Sequence, residues 1–429
     1  MKYDIVKNSR EDALLSAASS EMQEDIQPFE GKFPKAEQVA WLGCLPRPLL
    51  SWYDEEKRDL PWRENTDPYR VWVSEIMLQQ TRVEAVKEGY VRFLSVLPDL
   101  KSLAEAPEEL LMKLWEGMGY YSRARNLQKA ARIALATWGG LPASVEKLRS
   151  LPGIGDYTAG AVASIAFGIP APAVDGNVLR VLARLLNSSR DVLEPAAKKE
   201  AEALLRPIIP KDRAGGFTQA LMELGALICV PGSPKCEACP VSSLCLGFRA
   251  GTASVLPVKK SKKARRVEER TVFLLITPQG KVALEKRPSK GLLAGMWQFP
   301  NAEGSFSREQ GRRLWEEKEF FVGQTQKLPQ AVHIFSHIEW HMTGIALFLR
   351  EEPPAEKVDG DKNSDFQRDG REEKKPGQSG PAALVWASLE ELRTEKALPA
   401  AFRAYRKAFE EIVEKGPTED EPEQLMLPV

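Results

Sequence analysis

The sequence predicts a multidomain protein in which an all-α region is followed by an α+β domain. Apolar residues recur at helical spacing from about Leu49 to Phe248, and the period drops to two in the second half of the chain. Six lysines and arginines within eight positions, from Lys259 to Arg266, mark the change between the two patterns. The length of 429 residues agrees with this division, because domains average roughly 150 residues.

Composition and charge exclude several classes of protein. The 60 basic residues equal the 60 acidic residues, which excludes a uniformly basic coat for nucleic acid but leaves room for local basic patches. No apolar run approaches the roughly 20 residues that span a bilayer, and the acidic first residues fit neither a secretory signal nor a transit peptide. Five cysteines are too few for a disulfide scaffold, so we expect a reducing compartment, the cytoplasm.

Individual helices can be placed within the all-α region, which we assign to residues 46–250. Pro107, Glu108 and Glu109 are typical of a helix start, because proline fits the first turn and acidic groups favour the positive end of the helix dipole. The apolar face that follows consists of Leu110, Leu111, Leu114 and Trp115. A second apolar face, before a stop at Gly139 and Gly140, consists of Leu127, Ala130, Ala131, Ala134 and Leu135.

The segments outside the helical region differ in composition. Residues 1–45 are polar without a sustained period and predict a mobile extension with room for one short helix. Residues 251–266 form a basic linker, for which a solvated segment and a contact with the phosphate backbone are about equally favoured. Residues 351–380 carry nine acids, six bases and three apolar side chains, which predicts a disordered insertion. An acidic tail occupies residues 415–429.

The α+β domain is assigned to residues 267–414, apart from that insertion. Alternating apolar residues predict strands at Thr271–Thr277, Lys281–Lys286, Ala331–Phe335 and Ile338–Phe348. Val385 and Trp386 begin a further element, and one or two helices follow between about 388 and 414.

Four of the five cysteines lie within seventeen residues and predict a metal centre. Cys229, Cys236, Cys239 and Cys245 have a C-x6-C-x2-C-x5-C spacing, which is improbable by chance, whereas Cys44 stands apart as an ordinary thiol. Four thiolates suit zinc, but zinc ribbons use two paired knuckles. One compact loop suits an iron–sulfur cluster, although its spacing differs from the ferredoxin patterns.

A glycine-containing turn separates two further helical segments. In Leu151–Asp156, Gly153 and Gly155 permit a tight turn whose N–H groups point at an anion beside a helix start. The alternative is an ordinary helix–turn–helix connection, and the turn taken alone favours that explanation.

Two acidic residues are candidates for chemistry. Asp175 stands beside a glycine at a predicted helix start, where it is either an N-cap, the better interpretation of this residue alone, or a functional carboxylate. Glu75 stands among apolar residues in Val71–Thr81, and burial there would keep it protonated as a general acid requires. The alternative for Glu75 is a solvent-facing position on an amphipathic helix.

Taken together, the segments LPGIGDYTAGA, VDGNV and SEIMLQQT and the four-cysteine loop resemble the endonuclease III superfamily of DNA glycosylases. The resemblance is closer to the MutY-type adenine DNA glycosylases and covers roughly Leu49 to Phe248. From about Val267 to Ile412 the chain is similar to the Nudix-type domain of the same enzymes. The resemblance implies an α-helical helix-hairpin-helix glycosylase region with a 4Fe-4S loop, followed by an α+β Nudix-like domain that recognises the lesion.

Three features carry the assignment to the adenine-specific branch. Tyr157 stands where bifunctional relatives have a lysine, so no Schiff base can form and the resemblance implies a monofunctional enzyme. The Glu75 helix and Gly117–Tyr121 resemble the adenine-specific branch more than the thymine-mismatch branch. Phe335, Ser336 and His337 match the lesion-contacting tripeptide, whereas Gln310 occupies a required glutamate position of the Nudix hydrolase box. The second domain is therefore expected to recognise the damaged base and to lack hydrolase activity.

The resemblance implies hydrolysis of the N-glycosidic bond of adenine mispaired with 8-oxoguanine or guanine in duplex DNA, within base excision repair. Glu75 would donate the proton, Asp175 would stay ionised, and Tyr157 and Asn177 would orient them. Arg58 matches an adenine-pocket residue, and Gln80 and Tyr120 match intercalating positions. The further predicted DNA contacts are Met118, Gly153, Gly155, Phe335, Ser336 and His337.

The resemblance also implies cofactors and partners. The four cysteines would bind the 4Fe-4S cluster, and a monovalent or calcium cation would accompany the phosphate at the hairpin. We expect a monomer, with no membrane association, in the cytoplasm near the nucleoid. Gln424, Leu425 and Leu427 resemble the Gln-Leu-x-Leu peptides that dock on the bacterial sliding clamp, although short motifs of this kind also arise by chance.

Overall fold

The computed structural model describes residues 35–259, 265–353 and 383–417, which form two compact units. The first unit comprises the described residues of Met1–Ile76 and Ala136–Ser261, and the second those of Met77–Leu135 and Lys262–Val429. Most of the predicted extension, nearly all of the predicted insertion and most of the predicted tail, including Gln424, Leu425 and Leu427, lie outside the described residues. The helical region assigned as one domain is thus divided between the two units.

The first 259 residues are helical wherever they are described as regular structure. In chain order the helices are α1 (Lys35–Leu42), α2 (Pro46–Glu56), α3 (Pro68–Leu78), α4 (Val83–Val96), α5 (Leu100–Glu105), α6 (Glu108–Leu114), α7 (Ser122–Trp138), α8 (Val145–Arg149), α9 (Asp156–Phe167), α10 (Gly176–Leu185), α11 (Pro195–Leu205), α12 (Ala214–Leu227) and α13 (Leu246–Arg249).

The core of the first unit positions the segment before α10. Leu49, Val178, Phe217 and Leu221 are buried members of one apolar cluster that joins α2, α10 and α12. Gly160 of α9 is essential to the packing beside it, because a Cβ atom there would lie 2.0 Å from the Pro172 carbonyl oxygen. The absence of a side chain lets the chain leading to Asp175 lie directly on α9.

Buried residues lie beyond both predicted limits of the helical region, residues 46 and 250. Leu42 and Leu45 are each 1% exposed, so the core begins before the predicted boundary at residue 45. The helix α1, at eight residues, is too short to show a sustained period. Ala253 and Leu256 are also buried, and Val192 N donates to Val258 O at 3.2 Å. The start of the predicted linker therefore packs against the first unit.

The helices of the second unit agree with the predicted pattern at most positions. The helix α6 follows Pro107, and Leu111, Leu114 and Trp115 are buried as predicted, whereas Leu110 is exposed. Trp115 packs edge-on against Phe93 of α4, with 6.0 Å between ring centroids. Aromatic packing of this kind holds α4 and the end of α6 together.

A seven-stranded sheet forms the rest of the second unit. The strands are β1 (Arg266–Ile276), β2 (Val282–Lys286), β3 (Trp297–Gln298), β4 (Asn301–Glu303), β5 (Val322–Ile334), β6 (Ile338–Leu349) and β7 (Leu384–Ala387). The main path is β3-β2-β1-β6-β5, with β4 on β1 and β7 on β2. β1 and β6 run parallel, and the remaining pairs are antiparallel.

Helices cover both faces of the sheet. The helices in this half are α14 (Arg308–Glu316), α15 (Leu389–Thr394) and α16 (Arg403–Lys415). Phe409 of α16 is buried in the cluster on one face, and Trp315 of α14 in the cluster on the other. The sequence does not predict β3 and β4, which are too short to show alternation. It also misses α14, although Ser307 and Gln310 form a capping box that marks its start.

Polar contacts connect α6 and α7 to the sheet part within the second unit. Lys113 Nζ donates to the Leu392 carbonyl at 2.9 Å, and Arg406 pairs with Glu116 at 3.0 Å. Arg125 of α7 donates to the Ala294 carbonyl at 2.9 Å. The segment from Met77 to Leu135 therefore packs with residues that follow it by more than 150 positions.

Candidate active site and cysteine cavity

A buried carboxyl group lies in α3. Glu75 is 5% exposed, and the Tyr157 hydroxyl of α9 donates to its Oε2 atom at 2.7 Å. Burial disfavours the charged form and raises the pKa of Glu75 to about 7; the Tyr157 hydrogen bond opposes this rise, Asp175 adds to it, and Arg63 opposes it. A substantial fraction of Glu75 is therefore protonated at neutral pH, the state in which a carboxyl group donates a proton.

The Tyr157 hydroxyl remains a hydrogen-bond donor at this site. Burial, together with the charges of Glu75 and Asp175, raises the pKa of Tyr157 well above its ordinary value. Since Tyr157 stays neutral, it can hold one carboxylate oxygen of Glu75 without adding charge.

Asp175 caps the amino end of α10. Its Oδ1 atom accepts a hydrogen bond from the Val178 N–H at 2.8 Å, and its Oδ2 atom accepts one from the Asn177 amide at 2.9 Å. The N-cap and the functional carboxylate are therefore compatible interpretations, because the same group also acts on the pKa of Glu75. The structure thus brings Glu75, Tyr157, Asp175 and Asn177 together in the first unit.

Hydrogen bonds continue from Asn177 to the cysteine loop. Arg180 Nη2 donates to Asn177 Oδ1 at 2.9 Å, and Arg180 Nε donates to the Cys229 carbonyl at 2.8 Å. Gly225 of α12 makes room for this arrangement, because a Cβ atom there would lie 2.7 Å from Asn177 Cβ. Asp175, Asn177, Arg180 and Cys229 are therefore linked by consecutive hydrogen bonds.

Sequence reasoning misses a second buried carboxylate, Glu223 of α12. Its side chain is 1% exposed, and its Oε2 atom lies 2.7 Å from Arg58 Nη2 and 2.8 Å from Arg63 Nη2. Burial alone would raise the pKa of Glu223, but the hydrogen bonds from Arg58 and Arg63 outweigh it and lower the pKa to about 2. Glu223 therefore fixes Arg58, the predicted adenine-pocket residue, and also pairs with Arg63, whose charge acts on the pKa of Glu75.

The predicted hairpin connects α8 to α9. Gly153 has a φ of +78°, a left-handed conformation that favours glycine, and Gly155 is the N-cap of α9. Ile154 between them is buried and anchors the turn, while both glycines are exposed. The turn thus presents glycine backbone at the amino end of a 12-residue helix, an arrangement suited to a phosphate group.

The four clustered cysteines line a single small cavity in the first unit. Cys229, Cys236, Cys239 and Cys245 all contribute to its wall, together with Arg184, whose Nη1 atom donates to Cys229 Sγ at 3.3 Å. Among the residues described, no three cysteine, histidine or carboxylate groups are arranged to hold a single metal ion. Four cysteines around one cavity are a ligand set used both by zinc and by iron–sulfur clusters.

Most of the predicted DNA contacts of the second unit lie on three turns. Gln80 follows α3 and Tyr120 precedes α7; both are exposed, Tyr120 to 50%. Ser336 and His337 are exposed between β5 and β6, and Phe335 packs against Trp340 with 4.9 Å between ring centroids. The Tyr120 hydroxyl and Ser336 Oγ lie 3.0 Å apart. The structure therefore brings an intercalating candidate and a lesion-contact candidate into contact.

Met118, in contrast, has a buried side chain. It is 4% exposed, and a Cβ atom on Gly89 of α4 would lie 1.8 Å from the terminal methyl group of Met118. In this structure the side chain fills a gap in the protein interior, so the predicted DNA contact by Met118 is not accessible here.

Three family models match the chain. Residues 73–211 match the "HhH-GPD superfamily base excision DNA repair protein" family, residues 229–245 match the "Iron-sulfur binding domain of endonuclease III", and residues 271–408 match the NUDIX domain. These matches confirm the predicted fold class, and they confirm that the cysteine loop binds an iron–sulfur cluster.

Curated relatives match most of the chain. An adenine DNA glycosylase of Mus musculus is 36% identical over 399 residues, 80% of this chain and 78% of the relative. The Homo sapiens relative of the same name is 34% identical over 434 residues, 86% of this chain and 75% of the relative. A third, from Buchnera aphidicola, is 33% identical over 308 residues, 71% of this chain and 86% of the relative. These matches cover both units.

A separate feature concerns membranes. In the described parts of the chain, the helices are all too short or too polar to cross a bilayer.

Proposed function

The chain belongs to the adenine DNA glycosylases, a family of DNA N-glycosylases that act in base excision repair, and from this premise we propose that its substrate is adenine paired with 8-oxoguanine or guanine in duplex DNA. The observation that carries the proposal is the pair of carboxyl groups in the first unit. Glu75 is buried and partly protonated at neutral pH, and Asp175 lies close enough to raise its pKa.

The first step is protonation of the leaving base. Adenine departs poorly as an anion, so Glu75 donates a proton to N7 as the bond between the base and the sugar breaks. Tyr157 holds the Oε2 atom of Glu75 and thereby orients the donor. Arg58, fixed by Glu223, contributes to the pocket that receives the base.

The second step concerns the sugar. Bond cleavage leaves oxocarbenium character, which the ionised Asp175 stabilises by charge or traps transiently as a covalent adduct. The Val178 N–H and the Asn177 amide hold the two oxygens of Asp175 in place. Water then adds to C1′ of the sugar while one of its protons passes to the Glu75 carboxylate, and an abasic site remains.

The proposed enzyme does not cleave the DNA strand. Strand cleavage by β-elimination needs a Schiff base with a side-chain amine, and the hairpin position that holds a lysine in the bifunctional relatives is Tyr157 here. Gly153 and Gly155 bind a phosphate of the substrate strand, and a monovalent or calcium cation at this turn remains a prediction.

The sheet domain of the second unit reads the opposite base in this proposal. Phe335, Ser336 and His337 contact 8-oxoguanine, and Gln80 and Tyr120 fill the gap left by the extruded nucleotide. Gln310 lies in the first turn of α14 and forms a capping box with Ser307, so a structural role occupies a position where the hydrolase box needs glutamate. We therefore assign lesion recognition to this domain and no second hydrolysis.

We propose that the iron–sulfur cluster is of the 4Fe-4S type, since four thiolates in one compact loop suit a cubane. When bound, the cluster holds the loop from Cys229 to Cys245 in shape, so that exposed residues such as Lys235 face the DNA backbone. Its thiolate ligands are Cys229, Cys236, Cys239 and Cys245.

The clamp-binding peptide also remains a prediction, because Gln424, Leu425 and Leu427 lie outside the described residues. Deletion of residues 424–429 should abolish retention on an immobilised bacterial sliding clamp while leaving adenine release intact. Equal retention of the full and shortened chains would exclude this role for the tail.

The experiment that tests the proposed function is base release from defined duplexes. Purified iron-loaded protein should release adenine opposite 8-oxoguanine fastest, adenine opposite guanine more slowly, and neither thymine opposite guanine nor an oxidised pyrimidine. Glu75→Gln should lose release but keep DNA binding, which distinguishes an enzyme from a protein that only binds lesions. Borohydride trapping on abasic DNA should fail; a trapped adduct would indicate a lyase of the endonuclease III type.

A further inference from the structure

Gln80 and Tyr120 are two of the four non-glycine residues with a positive φ among the described residues of the second unit. Gln80 has a φ of 56° and Tyr120 a φ of 46°, both in the left-handed region that residues with a side chain rarely adopt. Such a conformation is strained and persists only where the surroundings enforce it. The two residues are also the predicted intercalating residues, so something in the fold must hold both turns in a strained form.

One side chain, Arg123 of α7, contacts both turns. Its Nη1 atom donates to the carbonyls of Met77 and Gln79 at 3.1 and 2.6 Å, directly before Gln80. Its Nη2 atom donates to the carbonyls of Met118 and Gly119 at 2.6 and 3.1 Å, directly before Tyr120. A planar guanidinium group can reach two segments at once because its donors point in fixed, divergent directions.

Further contacts fix the guanidinium group itself. Arg123 Cζ lies 5.5 Å from the ring centroid of Trp115 and 5.7 Å from that of Tyr120, within the range of cation–π attraction. Its Nη2 atom also donates to Thr81 Oγ1 at 3.1 Å, and Trp115 Nε1 donates to the Gly119 carbonyl at 3.2 Å. Burial lowers the pKa of Arg123 only to about 10, so it stays charged at neutral pH.

We propose that Arg123 is a positioning residue that holds Gln80 and Tyr120 in the conformation needed to enter the base stack. It acts through backbone carbonyls and the Tyr120 ring, and it does not itself touch the reacting atoms. The proposal rests on the proposed function, because the intercalating roles of Gln80 and Tyr120 belong to it. Arg123 lowers the cost of extruding the target nucleotide, since the two residues are already in place when DNA binds.

The test compares Arg123→Met with Arg132→Met on two substrates. Arg132 is a matched control, because it lies on the same helix and its Nε atom donates to a single carbonyl, that of Ala104, at 2.7 Å. One substrate is a fully paired duplex with adenine opposite 8-oxoguanine. In the other the same target adenine is flanked by mismatches, so that it is already largely unstacked.

Arg123→Met should lower the single-turnover rate on the fully paired duplex by about tenfold or more, and this loss should largely disappear on the mismatched substrate. Fluorescence of 2-aminopurine placed at the target should show the same pattern for extrusion. Arg132→Met should resemble the wild-type protein on both substrates. An equal loss on the two substrates would show a general structural role and overturn the proposal, as would a wild-type rate on both.

A second pair of variants covers the outcome in which Arg123→Met does not fold. Arg123→Lys keeps the charge but has a single donor centre that cannot reach both turns, so it should show a smaller loss confined to the paired duplex. Arg132→Lys is its control. If Arg123→Lys loses the same factor on both substrates, or none, the proposal fails. A wild-type protein that releases no adenine from either substrate would instead refute the proposed function.

Discussion

Glu75 changes charge within the neutral pH range, and this makes its role measurable. Its pKa is raised to about 7, mainly by burial, and only the protonated form can donate to adenine. We therefore expect single-turnover adenine release to fall as the pH rises through about 7. A rate that increases steadily across the same range would contradict the assignment of Glu75 as the acid.

The same group should make stability depend on pH. The pKa of Glu75 is raised from 4.5 to about 7 in the folded state. Its contribution to the free energy of unfolding is therefore complete below pH 4.5 and is lost as the pH rises through 7. Glu75→Gln should then gain stability over the wild-type protein by up to about 3 kcal/mol above pH 7, measured by urea unfolding at several pH values. Glu56→Gln, at an exposed position, should follow the wild-type protein throughout.

The effect of pH on stability that we predict for Glu223 has the opposite sign to that predicted for Glu75. The pKa of Glu223 is lowered to about 2, so its contribution is present above its ordinary value of 4.5 and is lost as the pH falls towards 2. Glu223→Gln leaves two arginines without their charge partner and should cost about 2–4 kcal/mol in the free energy of unfolding at neutral pH. Glu200→Gln, which removes a solvent-accessible partner of Arg190, should cost much less. A similar cost for both variants would show that the buried ion pairs of Glu223 stabilise the protein no more than a solvent-accessible pair does.

At the scale of elements, close packing between α9 and the segment before α10 should be sensitive to one methyl group. Gly160→Ala would place Cβ 2.0 Å from the Pro172 carbonyl, and we expect a loss of about 3 kcal/mol or more together with reduced activity, because Asp175 follows that segment. Gly140→Ala is the control, since a Cβ atom there meets nothing within 4 Å. Thermal unfolding of the two variants separates these expectations, and equal stability would contradict the packing argument.

Helices and turns that depend on local sequence patterns can be predicted from the sequence. Contacts between side chains that lie far apart along the chain cannot. The helix of Glu75, the turn at Gly153 and the start of α6 follow from periodicity, glycine placement and capping. Glu223 stands out only in the structure, because its partner Arg58 lies 165 positions away along the chain. In the sequence, Arg123 looks like any other basic residue of α7. The carbonyl groups that it binds belong to the backbone, so the types of the residues that carry them do not reveal the contact.

At the scale of the whole molecule, the cysteine loop should depend on its metal. The loop from Cys229 to Cys245 contains only short 3-10 turns, and the Trp41 indole donates to its Leu244 carbonyl at 3.0 Å. Cys239→Ser should lower the iron content and the visible absorbance of the purified protein and weaken DNA binding. Cys44→Ser, outside the cavity, should leave both unchanged. Full iron content in Cys239→Ser would remove this cysteine from the ligand set.

The division of the chain into units has a consequence for synthesis on the ribosome. Residues Met77–Leu135 emerge early, but the sheet with which they pack is made only after residue 262. The surface of Met77–Leu135 that packs on the sheet therefore stays exposed while more than a hundred later residues are translated. A truncated product that stops near residue 250 would lack its packing partner, so we expect nascent chains to recruit chaperones at this stage.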